Sequence, residues 1–200
     1  MSLELRRQID DTLKLNLSIN NETEFNLTKV DKKTYRLFDK NKILVLTAIL
    51  KKKNFEIFYF GKHVATLNIE KEIYGVRKYV LYYQDPKHKK ILGIIRHNNY
   101  TIKVYIPTLS TVTNSVCNFY NSNNPINKIT LFKSKQSNFS NDLIQSKKNY
   151  LLEEDGNEIT EFYKIDKKEF KLKSYKVVSI LQSFSIALSS IYSKSGRFRM

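Results

Sequence analysis

The sequence predicts a mainly antiparallel β protein whose sheet closes around one C-terminal helix, and three observations lead there. Short runs with period-two alternation recur along most of the chain. The segments between them are rich in Asn, Lys and Asp, and one uncharged stretch near the end has helical periodicity instead. At 200 residues, 41% hydrophobic and 12% aromatic, the chain has enough apolar matter for a sizeable core. No Gly/Ser/Pro linker and no internal repeat divides it. Residues 1–200 are therefore read as one domain, with strands over about 23–173 and the helix over about 176–193.

The strand signal is clearest between Asn99 and Ile106. There Tyr100, Ile102, Val104 and Ile106 share one face, while Thr101, Lys103 and Tyr105 share the other. Comparable runs are TEFNLTK, TYRLF, ILVLTAIL, NFEIFYF, HVATLNI, RKYVLYY and KILGIIR in the first half, then KITLF, EITEFYKI and EFKLK. A Glu-Asp-Gly-Asn turn is expected at Glu154 to Asn157. Ile69 to Gly75 reads as a short helix stopped by the glycine, and Thr108 to Asn127, rich in Ser, Thr and Asn, reads as loop.

From Val177 to Ser193 there is no charged residue, although 27% of the chain is charged. Leu181, Phe184, Ala187, Leu188 and Ile191 fall on a wide apolar helical face, and Ser179, Gln182, Ser183, Ser185, Ser189 and Ser190 on the other, with Ile186 among them. A transmembrane span wants about 20 predominantly apolar residues, and a helix lying on a membrane wants Lys or Arg along its polar face. This segment has neither. It reads as a buried helix, with Leu181, Phe184, Ile186, Ala187, Leu188 and Ile191 in the core and serine hydroxyls bonded to carbonyls one turn back.

A formal net charge of +16 favours anionic partners, either nucleic acid or the cytosolic face of a membrane. Only 7 of the 35 basic residues are Arg, so the charge is carried by flexible point cations rather than by planar forks suited to reading base edges. The single cysteine, Cys117, allows no intrachain disulfide, and the N-terminus lacks the apolar segment of a secretory signal. The expected location is cytoplasmic, peripheral at the cytosolic face of the plasma membrane, or nuclear.

No catalytic constellation is visible: there is no Gly-x-Ser-x-Gly, no Gly-rich phosphate loop ending in Lys-Ser/Thr and no His-Glu-x-x-His. His63, His88 and His97 are scattered, and Glu153 to Glu158 lacks the spacing of a calcium loop. The sequence is read as non-enzymatic, with no cofactor and no metal.

Leu181, Gln182, Phe184, Ile186, Ala187, Leu188, Ser189, Ser190, Ser193 and Lys194 resemble, in order and spacing, the terminal helix of the Tubby C-terminal domain. Fainter similarity runs through TYRLFDKNKILVLTAILKKKNFEIF, HVATLNIEKEIYGVRKYVLYY and KILGIIRHNNYTIKVYIP, while Thr108 to about Lys147 does not align. The resemblance implies a closed barrel of 12 antiparallel strands around the C-terminal helix, and binding of phosphoinositides in a cationic pocket. Carried over, that pocket takes Asn54 after the basic loop and Lys89 in place of an arginine. Thr66 and Asn68 stand where two cations are expected. Lys51, Lys52, Lys53 and Lys90 lie near enough in sequence to compensate.

The expected partners are phosphoinositides or an anionic membrane surface, with protein cargo recruited there, nucleic acid bound only nonspecifically, and the chain monomeric. The alternatives are a protein-interaction scaffold with a degenerate pocket and a nonspecific nucleic-acid binder.

Overall fold

A computed structural model describes residues 23–70, 76–84, 91–98, 101–107, 129–135, 144, 146–174 and 178–193. Twelve strands carry the alternation into space. They are β1 (Thr23–Lys29), β2 (Thr34–Asp39), β3 (Leu44–Leu50), β4 (Asn54–Tyr59), β5 (Lys62–Ile69), β6 (Arg77–Tyr83), β7 (Ile91–His97), β8 (Ile102–Pro107), β9 (Ile129–Lys135), β10 (Tyr150–Glu154), β11 (Asn157–Lys164) and β12 (Glu169–Ser174). In β2, Tyr35 and Leu37 are buried while Arg36 between them is exposed. In β4, Phe55 and Ile57 are buried while Asn54 and Glu56 lie on the outer face.

Each strand pairs antiparallel with its successor, and β12 returns to β1 with Thr23 opposite Ser174 and Thr28 opposite Glu169, so the barrel is closed. Closure leaves no strand edge unpaired, which removes the main aggregation hazard of a long sheet.

β10 is the one strand absent from the sequence reading. Its core-facing residues are only Tyr150 and Leu152, and the register then shifts at Leu152/Glu153 before two acids enter the turn. The expected Glu154–Asn157 turn is present, with Asp155 (φ 48°) and Gly156 (φ 83°) both left-handed. Of the proposed short helix, Ile69 belongs to β5 and Glu70 donates its N–H to the Lys78 carbonyl at 2.9 Å. Residues 71–75 lie outside the described residues, as do Thr108 to Asn127 and Cys117.

The helix α1 (Ile180–Tyr192) begins later than the expected 176 because Ser179 caps it. The Gln182 amide N–H donates to Ser179 Oγ at 3.2 Å, and Ser179 N–H donates to Gln182 Oε1 at 2.9 Å, a reciprocal capping box. Every residue from Ile180 to Ile191 is buried, on all faces of the helix. Leu181, Phe184, Ile186, Ala187, Leu188 and Ile191 are in the core, as the sequence predicts.

Its polar side chains are satisfied from around the barrel. Gln182 Nε2 donates to the Leu92 carbonyl on β7 at 2.9 Å, Ser183 and Ser174 of β12 share a hydrogen bond of 2.7 Å, and Ser190 Oγ donates to the Lys148 carbonyl at 2.7 Å. Ser185 and Ser189 turn back onto the Leu181 and Ile186 carbonyls at 2.7 and 2.6 Å. Partners on opposite sides of the barrel are reachable only because the helix runs inside it.

Candidate anion-binding end of the barrel

The helix has no acidic residue in its first turn and no basic residue in its last, so its own sequence leaves the dipole uncompensated. The barrel supplies the missing cation. Arg77, at the start of β6, donates from Nη1 to the Tyr192 carbonyl at 3.4 Å, close to the helix C-terminus.

The same end of the barrel collects the β1–β2, β3–β4 and β11–β12 turns and the segment leading into β10. Two backbone bonds and one to a side-chain amide tie these together. Lys29 N–H donates to the Lys168 carbonyl at 2.8 Å, Leu50 N–H to Lys33 at 2.7 Å, and Lys164 N–H to Asn149 Oδ1 at 3.0 Å. Lys32, Lys33, Lys51, Lys52, Lys53, Lys147, Lys167 and Lys168 are exposed here. The acids among them are partly committed elsewhere. Asp31 Oδ1 accepts the N–H groups of Lys33 and Thr34 at 2.7 and 2.8 Å, and these bonds hold its pKa below the ordinary carboxylate value.

Three further lysines face the core side of this end. Lys29 stands opposite Tyr35 and Lys164 opposite Phe170, and partners in a ladder share a face, so both lie on the side of the buried aromatics. Lys29 Nζ is 5.8 Å from the Tyr35 ring centroid, and Lys148 Nζ is 5.9 Å from that of Phe170. Beneath Lys148, Tyr150, Phe162 and Phe170 form a column with centroids 5.4 and 5.3 Å apart.

Burial pushes the pKa of Lys148 down, and the ammonium groups of Lys29 and Lys164 push it further the same way. Among the described residues no carboxylate pairs with Lys29, Lys148 or Lys164. The ammonium groups of Lys29 and Lys164 thus disfavour the charge on Lys148 above an apolar floor, an arrangement that an anion with several oxygens would relieve.

Of the residues singled out from sequence, Lys51, Lys52 and Lys53 form the exposed tip of the β3–β4 hairpin, with Lys51 Nζ 3.6 Å from Glu56 Oε2. Asn54 opens β4 on the outer face opposite Asn68, and its carbonyl accepts Lys51 N–H at 2.8 Å. Thr66 is buried; its hydroxyl donates to the Gln84 carbonyl at 2.7 Å and meets His63 Nε2 at 3.1 Å, so the position works as a tie between strands.

Lys89 and Lys90 lie outside the described residues. β7 begins at Ile91, opposite Tyr82, which is opposite Thr66, itself opposite Glu56. That is two residues further from the lysine turn than Asn54. Sequence reasoning missed Lys29, Lys148 and Lys164, although the ladder period assigns Lys29 and Lys164 to the core face once strand register is known.

No protein-family model matches the chain, and no curated protein matches it. Eight chains of solved structures do match. One is the X-ray structure of a protein from Arabidopsis thaliana, with a TM-score of 0.54 at 12% identity, covering 92% of this chain and 94% of that one. At that identity the likeness is one of fold. No helix among the described residues is long and apolar enough to cross a membrane, and no group of three or more metal-ligating side chains occurs among them.

Proposed function

We propose that this Tubby-like barrel binds an anionic, phosphate-rich membrane surface through its lysine-bearing end, with phosphoinositide headgroups as the ligand. The observation that carries the reading is the trio Lys29, Lys148 and Lys164, held together over Tyr35 and Phe170 with no described carboxylate between them. A bisphosphorylated headgroup brings the charge density to satisfy three ammonium groups at once. The exposed lysines of the surrounding turns add diffuse attraction, each on the order of 1 kcal/mol near an anionic leaflet. The resemblance of the terminal helix supports the same ligand class. The outer-face hairpin at Lys51 to Asn54 joins the field from the side.

The test is vesicle sedimentation with phosphatidylinositol 4,5-bisphosphate against phosphatidylserine at matched total charge. The headgroup reading predicts tighter binding to the former and loss of that preference in Lys148→Gln. Equal binding to both by the unaltered protein removes the headgroup and leaves general anionic attraction. No binding to either removes the proposal.

A further inference from the structure

Two hairpin turns are built on one pattern: Lys29-Val30-Asp31-Lys32-Lys33 between β1 and β2, and Lys164-Ile165-Asp166-Lys167-Lys168 between β11 and β12. This short recurrence carries over into the geometry. Val30 N–H donates to the Thr34 carbonyl at 3.0 Å, and Ile165 N–H to the Glu169 carbonyl at 2.9 Å. Both aspartates accept backbone N–H groups from within their own turn, Asp31 those of Lys33 and Thr34 and Asp166 that of Lys167. In each turn the first lysine lies on the core face, beside Tyr35 or Phe170, and the last two are exposed.

Because β12 closes onto β1, the two turns stand side by side, joined by the Lys29–Lys168 backbone bond. Val30 is 40% exposed and Ile165 41%. Ile144, 42% exposed, is tied to the same place through Asn149, whose Nδ2 donates to the Ile144 carbonyl at 2.9 Å while its Oδ1 takes the N–H of Lys164.

A single exposed aliphatic residue needs no explanation. Two at the same position of paired turns, with a third beside them and four exposed lysines around, form a surface that is apolar at its tips and cationic at its flanks. That is the pattern of an element seated at a bilayer interface, with ammonium groups at the phosphates and aliphatic tips at the acyl boundary.

We propose that the twin turns are an end-on membrane wedge, in which Val30 and Ile165, with Ile144, enter the interface of an anionic bilayer while Lys32, Lys33, Lys167 and Lys168 hold its phosphates. This rests on the membrane reading above and adds to it a depth and an orientation: the barrel axis stands toward the bilayer, with the helix C-terminus at the membrane side. The opposite end is the rival surface, since Phe60 (73% exposed), Ile43 (56%) and Leu44 (40%) stand there near the exposed Lys40, Lys42 and Lys62; it lacks the repeated pair of turns, and Phe60 serves as its reporter.

The chain contains no tryptophan, so one introduced residue reports alone. Ile165→Trp and Phe60→Trp would be mixed separately with phosphatidylcholine vesicles carrying phosphatidylserine and phosphatidylinositol 4,5-bisphosphate, some with brominated acyl chains. Vesicle binding is measured in parallel by sedimentation. The wedge predicts a blue shift and bromine quenching for Ile165→Trp, none for Phe60→Trp, and a loss of affinity of roughly tenfold in Val30→Ser/Ile165→Ser.

Sedimentation of Ile165→Trp with unquenched fluorescence overturns the wedge and leaves the membrane reading standing. Quenching of Phe60→Trp instead reverses the orientation and overturns it as well. Absence of vesicle binding by the unaltered protein sinks both. Both tips are exposed in the fold, and circular dichroism of each variant checks that the barrel is retained.

Discussion

His97 shows how much a single buried side chain commits the protein. Its Nε2 lies 2.8 Å from Ser189 Oγ, and the serine spends its only proton on the Ile186 carbonyl, so the imidazole donates from Nε2. Burial, and then the Arg77 guanidinium, push its pKa from 6.5 down to about 3. Between those values the unfolded chain binds more protons than the folded one, so stability falls as the pH is lowered from about 6.5 toward 3. The slope approaches about 1.4 kcal/mol per pH unit from this group alone. Urea midpoints measured across that window should show the loss, and His97→Gln, which keeps a donor but cannot titrate, should flatten it. An unchanged slope in the variant would assign acid sensitivity to other groups.

Phe60 is the converse case, an exposed residue under strain. With Gly61 (φ 76°) it forms a two-residue turn in which Phe60 has φ 45°, a region where Asn or Gly is at ease and a bulky side chain is not. Phe60→Asn should stabilise the barrel by about 1 kcal/mol, read as a higher urea midpoint at constant m-value. A decrease would mean that the edge-on contact with Tyr59, centroids 4.7 Å apart, outweighs the backbone strain.

At the scale of elements, the helix separates two explanations of its missing charges. As the barrel's axis it buries Phe184 and Leu188 completely. Phe184→Ala should cost about 3–5 kcal/mol and Leu188→Ala about 2–5, while Phe184→Asp should leave no folded protein by near-ultraviolet dichroism. A folded Phe184→Asp that has merely lost membrane association would mean the helix is an exposed anchor. This element was legible in the sequence because burial on all faces demands the absence of charge over the whole stretch, a signal that no surface helix imitates.

Most strands were legible for the matching reason, that one buried face imposes period two. β10 was not: Tyr150 and Leu152 are too few to establish a period, and the bulge ends the alternation. The candidate site was legible only in part. Lys51 to Lys53 stand out as a run, whereas Lys29 and Lys164 are strand-end residues whose place on the core face depends on strand register and on β1 meeting β12. That contact, spanning nearly the whole described chain, has no local trace.

For the molecule as a whole, the question is whether +16 acts as a total or through its placement. A total charge attracts any polyanion regardless of orientation, and its effect depends on the number of charges removed. A charged end orients the barrel, and its effect depends on which charges are removed. Lys32, Lys33 and Lys167 lie at the helix C-terminal end, and Lys40, Lys42 and Lys62 at the other; all six are exposed.

Reversing either set of three to Glu lowers the formal net charge from +16 to +10, so the two variants are equal in total and differ only in place. If placement governs, the first set should lose most vesicle binding at physiological salt while the second keeps affinity within about threefold of the parent, since its charges lie beyond a Debye length of about 8 Å from a bilayer at the far end. Equal losses in both would show a protein that senses polyanions through its whole surface, and would remove the orientation on which end-on docking depends.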